Sequence, residues 1–333
     1  MTNTQKQAPQ KGSQKFRAMQ KSLSRILYKI VFLCLTLAVV SGADGLVVPK
    51  PGGGVVLEAD SLSRVTEFRI DSRSTPLLAV HPSSPILAGY TPETGVVFYN
   101  LPSLTVASTH KGELYASGVN DIAFSSDGNS LYLLSGELRS VVVLDLKTSE
   151  VSELLPVPGA GSQRLSATAS GLLLNQGSVL SLIGGQADEG LLAQFRFPQD
   201  ITAAQVEGER LFIGLRSVAG VWSYQLPSGR VLGFLPTEGE VKQLCALGKS
   251  KGFCLLNAAG ALQAYDFSTP APRWTFPGRY GLLLKGRAGD AVYAVDSQSS
   301  TIVSVDSRLG SELARVSVDS GSGHPVLFSG SVR

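Results

Sequence analysis

Val141-Val142-Val143-Leu144-Asp145 is a short apolar run that ends on a carboxylate, and its shape recurs down the chain. The same shape stands at Val56-Leu57-Glu58-Ala59-Asp60, Val96-Val97-Phe98-Tyr99-Asn100 and Val221-Trp222-Ser223-Tyr224-Gln225. Leu262-Gln263-Ala264-Tyr265-Asp266 and Ile302-Val303-Ser304-Val305-Asp306 complete the clear copies. The polar ends fall at 60, 100, 145, 225, 266 and 306, so the steps are 40, 45, 80, 41 and 40 residues. The double step holds a degenerate copy, Ser178-Val179-Leu180-Ser181-Leu182-Ile183, in which Gly184-Gly185 replaces the polar end. Seven copies at a period near 40 residues indicate a propeller, whose unit is a four-stranded sheet of about that length.

Working outward from Val141, one copy has four strand signals. Asp121-Ile122-Ala123-Phe124 is followed by the turn Ser125-Ser126-Asp127-Gly128-Asn129 and by Leu131-Tyr132-Leu133-Leu134. Gly136 leads to Val141–Leu144, and Lys147-Thr148-Ser149 leads to the strand opened by Val151. An Asp-Gly pair supplies the backbone signs that a hairpin turn needs. A four-stranded sheet has two apolar faces, and a ring of sheets covers both. The first copy begins at its third strand, and Pro325-Val326-Leu327-Phe328 is a spare strand at the other end. Pairing the two would close the ring and hide its edges, with about three strands in the closing blade. The prediction is all-β: a seven-bladed propeller over 55–333, or six blades if the first copy only decorates the edge.

The pairs Tyr99-Asn100, Leu144-Asp145, Tyr224-Gln225, Tyr265-Asp266 and Val305-Asp306 stand where a repeat family carries Trp-Asp. On these residues 55–333 resembles the WD40 and YVTN-type propellers, although no copy has both the Gly-His and Trp-Asp pairs. Gly184-Gly185-Gln186-Ala187-Asp188-Glu189-Gly190, with Ala193-Gln194-Phe195 and Pro198-Gln199-Asp200-Ile201, resembles a single NHL repeat. The resemblance implies architecture and a bias toward protein partners, not a reaction.

Composition places the charge. The formal net charge is +3, with 29 Lys and Arg against 26 Asp and Glu. Residues 1–43 hold seven of those bases (Lys6, Lys11, Lys15, Arg17, Lys21, Arg25 and Lys29) and no acid. Without them 22 bases face 26 acids, a net of −4, so no nucleic-acid surface is expected on the ring. Ile30–Val40 is an uncharged apolar run between this basic segment and the small residues Ser41, Gly42 and Ala43. That is the layout of a secretory signal peptide. Extended back to Ile26, with Lys29 snorkelling, the run also serves as an uncleaved transmembrane anchor; a transit peptide or a core element are the remaining readings. Both leading readings put the ring outside the cytoplasm: periplasmic, luminal or secreted. Residues 44–54, with two prolines and three consecutive glycines, read as a linker.

Chemistry is sparse. His81, His110 and His324 are scattered, with no zinc-ligand spacing and no Gly-x-Ser-x-Gly elbow. Asp145, Asp266 and Asp306 recur at strand ends; they either ring a cation or cap their own turns, and recurrence favours capping. If Gly248–Lys251 is a hairpin turn, Cys245 faces Cys254 at a non-hydrogen-bonded site, within reach of a disulfide; the alternative is two buried free thiols. The stretch 268–280 carries Arg273, Trp274, Phe276, Arg279 and Tyr280. Trp274 and Phe276 read as outer-strand packing, and Arg273, Arg279 and Tyr280 as an exposed interface patch. No cofactor or metal is called. Three functions follow: an exported or membrane-anchored scaffold that binds proteins in an envelope or membrane assembly, a propeller enzyme of lactonase or cofactor-dependent dehydrogenase type, or a soluble binder of a small ligand.

Overall fold

The structure, a computed structural model, describes residues 44–333 apart from 102, 113–117, 158–162, 169–170, 185–189, 248–251, 287–288, 297, 319–324 and 329–333. The basic leader, the middle of the NHL-like segment, the turn at 248–251 and His324 therefore lie outside the described residues. All described elements are strands, and they form seven four-stranded antiparallel sheets. In chain order, blade 1 joins Val326–Phe328 to Gly45–Lys50, Gly53–Glu58 and Arg64–Arg69. Blades 2 to 7 span 77–110, 119–156, 163–196, 201–236, 241–276 and 282–317.

The repeated apolar run is the third strand of each blade, and its packing explains why it does not alternate with polar residues. Within Ser140–Asp145, Val142 and Leu144 pack toward blade 2 while Val141 and Val143 pack toward blade 4. Successive side chains point to opposite faces of a strand, and here both faces are covered by a neighbouring blade. The second strand behaves alike: Leu131 and Leu133 face one neighbour, Tyr132 and Leu134 the other. Outer strands have lost this constraint, so Glu312–Ser317 alternates between exposed and half-buried residues. The core is thus divided among seven apolar clusters, each built from two adjacent blades, including one between blades 7 and 1.

The stretch 44–54 is not a linker. Gly45–Lys50 is the second strand of blade 1, with Leu46, Val47 and Val48 fully buried. It pairs Gly45, Leu46 and Val47 with Phe328, Leu327 and Val326, and that pairing closes the ring. The closing blade therefore has four strands, one more than the sequence suggests. The prolines and glycines mislead because they serve the sheet. Pro49 lies past Val47, the last residue that the C-terminal strand pairs. At Gly53, φ is +149°, and a Cβ there would run into the Phe68 carbonyl oxygen. A Cβ on Gly54 would occupy the space of the Phe68 ring. Glycine is required by close packing at both positions.

Candidate functional site

Innermost strands place their first residues around the ring axis, and side chains from blades 3 to 7 line a cavity there of about 720 Å³. Three of these strands carry an irregularity at the same place: between Val119 and Asp121, Ile201 and Ala203, and Val241 and Gln243. A bulge re-aims the side chains beside it. Here it turns them onto the next blade. Asp121 accepts the Leu165 N–H at 2.9 Å and the Ile122 N–H at 3.0 Å. Thr202 donates to the Val241 carbonyl, Gln243 donates to the Gly281 carbonyl at 3.1 Å, and Gln243 Oε1 accepts the Leu283 N–H at 2.7 Å. These bonds stitch blade 3 to 4, 5 to 6 and 6 to 7.

Between blades 4 and 5 no side chain makes such a bond among the described residues; there the Ile201 N–H bonds the Gly177 carbonyl at 2.8 Å, and the cavity extends outward to Asn175 and Gly177 on the second strand of blade 4 and its turn. Arg164 and Asn175 are register partners, so their side chains share one face of the blade. Arg164 is exposed, with no hydrogen bond or ion pair among the described residues. The Oδ1 of Asn175 is buried and has no partner. Around them Arg216 pairs with Asp200 at 3.2 Å and Lys242 with Glu240 at 3.3 Å. The Ser217 N–H, then Lys242, hold the Glu240 carboxyl below its ordinary range. Burial pushes the Asp121 carboxyl up, against its two N–H donors and Arg164. A buried polar atom without a partner marks a place where a ligand or water would complete the bonding. The wall thus offers a guanidinium that no hydrogen bond or close ion pair engages among the described residues, with Asp121 as its nearby opposite charge, beside one open acceptor. Another ion pair, Lys285 with Glu207 at 3.4 Å, links blades 5 and 7.

The residues singled out in the sequence fall elsewhere. Asp145 accepts the N–H groups of Lys147 and Thr148, and Asp306 those of Arg308 and Leu309, at 2.7 to 2.9 Å. These bonds hold both carboxyls below their ordinary range. Asp266 pairs instead with Arg273 at 3.3 Å. Arg273 also reaches the Ser307 carbonyl, as does the Trp274 indole N–H at 3.2 Å, so this end of the predicted patch ties blade 6 to blade 7. Tyr280 is buried, not exposed: its ring stacks on Phe276, centroids 6.1 Å apart, in the cluster between those blades. The turn after Phe276 returns the chain to the interior, and the Tyr280 N–H bonds the Gly260 carbonyl. Of the three, Arg273 and Arg279 are exposed.

Cys245 and Cys254 are register partners, as the hairpin argument requires. The Leu247 N–H bonds the Gly252 carbonyl, which makes the pair two residues away a hydrogen-bonded one, with Cα atoms about 5.5 Å apart rather than the closer spacing expected. Both are free, buried thiols, and burial pushes Cys245 up to about 12. His81 Nδ1 accepts the Ser83 and Ser84 N–H groups, and its Nε2 lies 3.0 Å from the Gly128 carbonyl. His110 lies beside Ser108 and packs edge-on against Phe98. No group of three or more His, Cys, Asp or Glu that could hold a metal occurs among the described residues. Sequence reasoning missed Asp121, Arg164, Asn175 and Lys242. The one signal was a polar residue near the start of the innermost strands of blades 3 to 6.

No family profile matches this chain, and no curated protein matches it. Solved structures do. The WD40 domain of Neurospora crassa Pan2 aligns with a TM-score of 0.65 and 15% identity, over 77% of this chain and 83% of that one. A chain of the mitotic checkpoint complex gives 0.63 and 13%, over 76% and 81%. Kluyveromyces lactis Hsv2 gives 0.57 and 10%, over 74% and 84%. With the seven sheets in place, these likenesses show the fold: a seven-bladed β-propeller, similar to the WD40 domain of Pan2.

Proposed function

We propose that the protein is a binding scaffold, exported or membrane-anchored by its basic, apolar leader, which holds a protein partner at the axial cavity. The observation that carries this reading is that Arg164, engaged by no hydrogen bond or close ion pair among the described residues, is the register partner of Asn175, whose Oδ1 is orphaned, on one face of blade 4. A partner segment presenting an acidic side chain and a backbone N–H satisfies both groups at once. Propellers of this architecture host many functions, so the site and not the fold supports the choice.

The test is crosslinking of the full chain in its native membrane fraction, followed by mass spectrometry of the attached proteins. Arg164→Glu is expected to reduce capture of the principal partner at least tenfold, whereas Arg308→Glu, on an outer turn, leaves it unchanged. Equal capture by both variants contradicts the assignment of the cavity.

A further inference from the structure

A second cavity, of about 410 Å³, lies in the seam between blade 7 and the closing blade, away from the axis. Its floor is apolar: Val55, Leu57, Val316 and Val318. The rim of blade 7 is polar, with Gln298, Ser299, Ser300 and Ser317. Asp296 fixes that rim by accepting the N–H groups of Gln298 at 2.9 Å and Ser299 at 3.2 Å, and the Ser299 hydroxyl at 2.8 Å. The Val318 N–H closes on the Ser300 carbonyl at 2.7 Å.

The opposite wall carries an uneven set of charges. Lys50 Nζ lies 2.6 Å from Glu67 Oε1, and Arg64 closes on the same oxygen. Two cations thus share one carboxylate oxygen. The Lys50 hydrogen bond, then Arg64, hold Glu67 below its ordinary range, so it is ionised at neutral pH and the trio keeps a net charge of +1. For stability alone one cation suffices, since a surface ion pair is worth little and the two cations repel each other. One further carboxylate would complete an alternating square of charges, and the guanidinium fork suits that group.

We propose that this seam binds a small organic carboxylate, its head group bridging Lys50 and Arg64 and its aliphatic stem lying on Val55, Leu57, Val316 and Val318. The cavity volume falls in the usual range for small-molecule sites, and its apolar floor with a few convergent polar groups has the usual make-up. Because the ligand touches both blade 7 and the blade that closes the ring, occupancy ties the two ends of the ring together.

The experiment is calorimetric and thermal titration of the purified full chain with hexanoate, 1-hexanol and inorganic phosphate. Hexanoate is expected to bind and, near saturation, to raise the melting temperature by about 3 °C. Hexanol, which keeps the stem without the charge, and phosphate, which keeps the charge without the stem, bind at least tenfold more weakly. Glu67→Gln removes the competing carboxylate and is expected to tighten hexanoate binding by about tenfold. Lys50→Gln with Arg64→Gln abolishes it while the protein still unfolds cooperatively. Equal binding of hexanol or phosphate overturns the proposal, as does a Glu67→Gln variant that binds hexanoate no better than wild type.

Discussion

The junctions between blades 5 and 6 and between blades 6 and 7 are sewn at the axis by polar side chains, whereas at the junction between blades 4 and 5 the Ile201 N–H bonds the Gly177 carbonyl and no side chain does the same among the described residues. Thr202 and Gln243 cross the first two with hydrogen bonds to backbone groups of the next inner strand. At the third, the cavity opens between the blades and Asn175 Oδ1 is left unbonded. Apolar packing does not explain the difference, because a buried cluster joins blades 4 and 5 as it does the other pairs. What differs is the polar layer at the axis. The same kind of position is used to close the wall in one sector and left available in another, which is the expected layout of a binding site set in a rigid ring.

The sharpest way to break the contrast is to remove a stitch. Gln243→Leu strips partners from both the Leu283 N–H and the Gly281 carbonyl. Gly281 is exposed, so water replaces the bond to its carbonyl, but the buried Leu283 N–H is orphaned and a loss of about 1–3 kcal/mol is expected in denaturant unfolding. A smaller effect, and one that depends on pH, is expected at Asp121. Burial raises its folded-state pKa above the unfolded value. The stability it contributes is therefore present in full below the ordinary aspartate range and is lost as pH rises through the folded value. Asp121→Asn removes that slope and gives up one accepted hydrogen bond, about 1 kcal/mol. The turn carboxylate Asp127 has the opposite sign. Ser125 and Asn129 hold it down to about 2, so its contribution is present above the unfolded value, near 4, and is lost as pH falls toward 2. Comparing Asp121→Asn with Asp127→Asn across this range checks both signs. The smallest effect on stability belongs to the open junction. Asn175→Leu replaces an unbonded acceptor by an apolar group, so it is expected to be neutral or stabilising by up to about 1 kcal/mol. A loss comparable to Gln243→Leu would show that Asn175 is a stitch after all.

How much of this was legible follows from where each residue sits. The third strands announced the ring because both of their faces are covered, which leaves an uninterrupted apolar signature at every repeat. Gly45–Lys50 was hidden because Pro49 and the three glycines after it look like a linker, although Gly53 and Gly54 are glycines to make room for Phe68. Tyr280 was misread because its return to the interior depends on the course of one irregular turn, which no period describes. Cys245 and Cys254 were placed opposite each other correctly, but the phase of the hydrogen bonds is set by the turn and not by the spacing. The axial residues were the least legible. Asp121, Arg164, Thr202 and Gln243 occupy related positions with four different side chains, so they form no motif and acquire meaning only when the ring brings them together.

The most direct test of the open junction uses a photocrosslinking amino acid placed at Arg164 and, separately, at Arg308, in the full chain within the cells that make it. The account predicts a discrete adduct with another protein from position 164 and none from position 308. Adducts of equal yield from both positions, or from 308 alone, would contradict it.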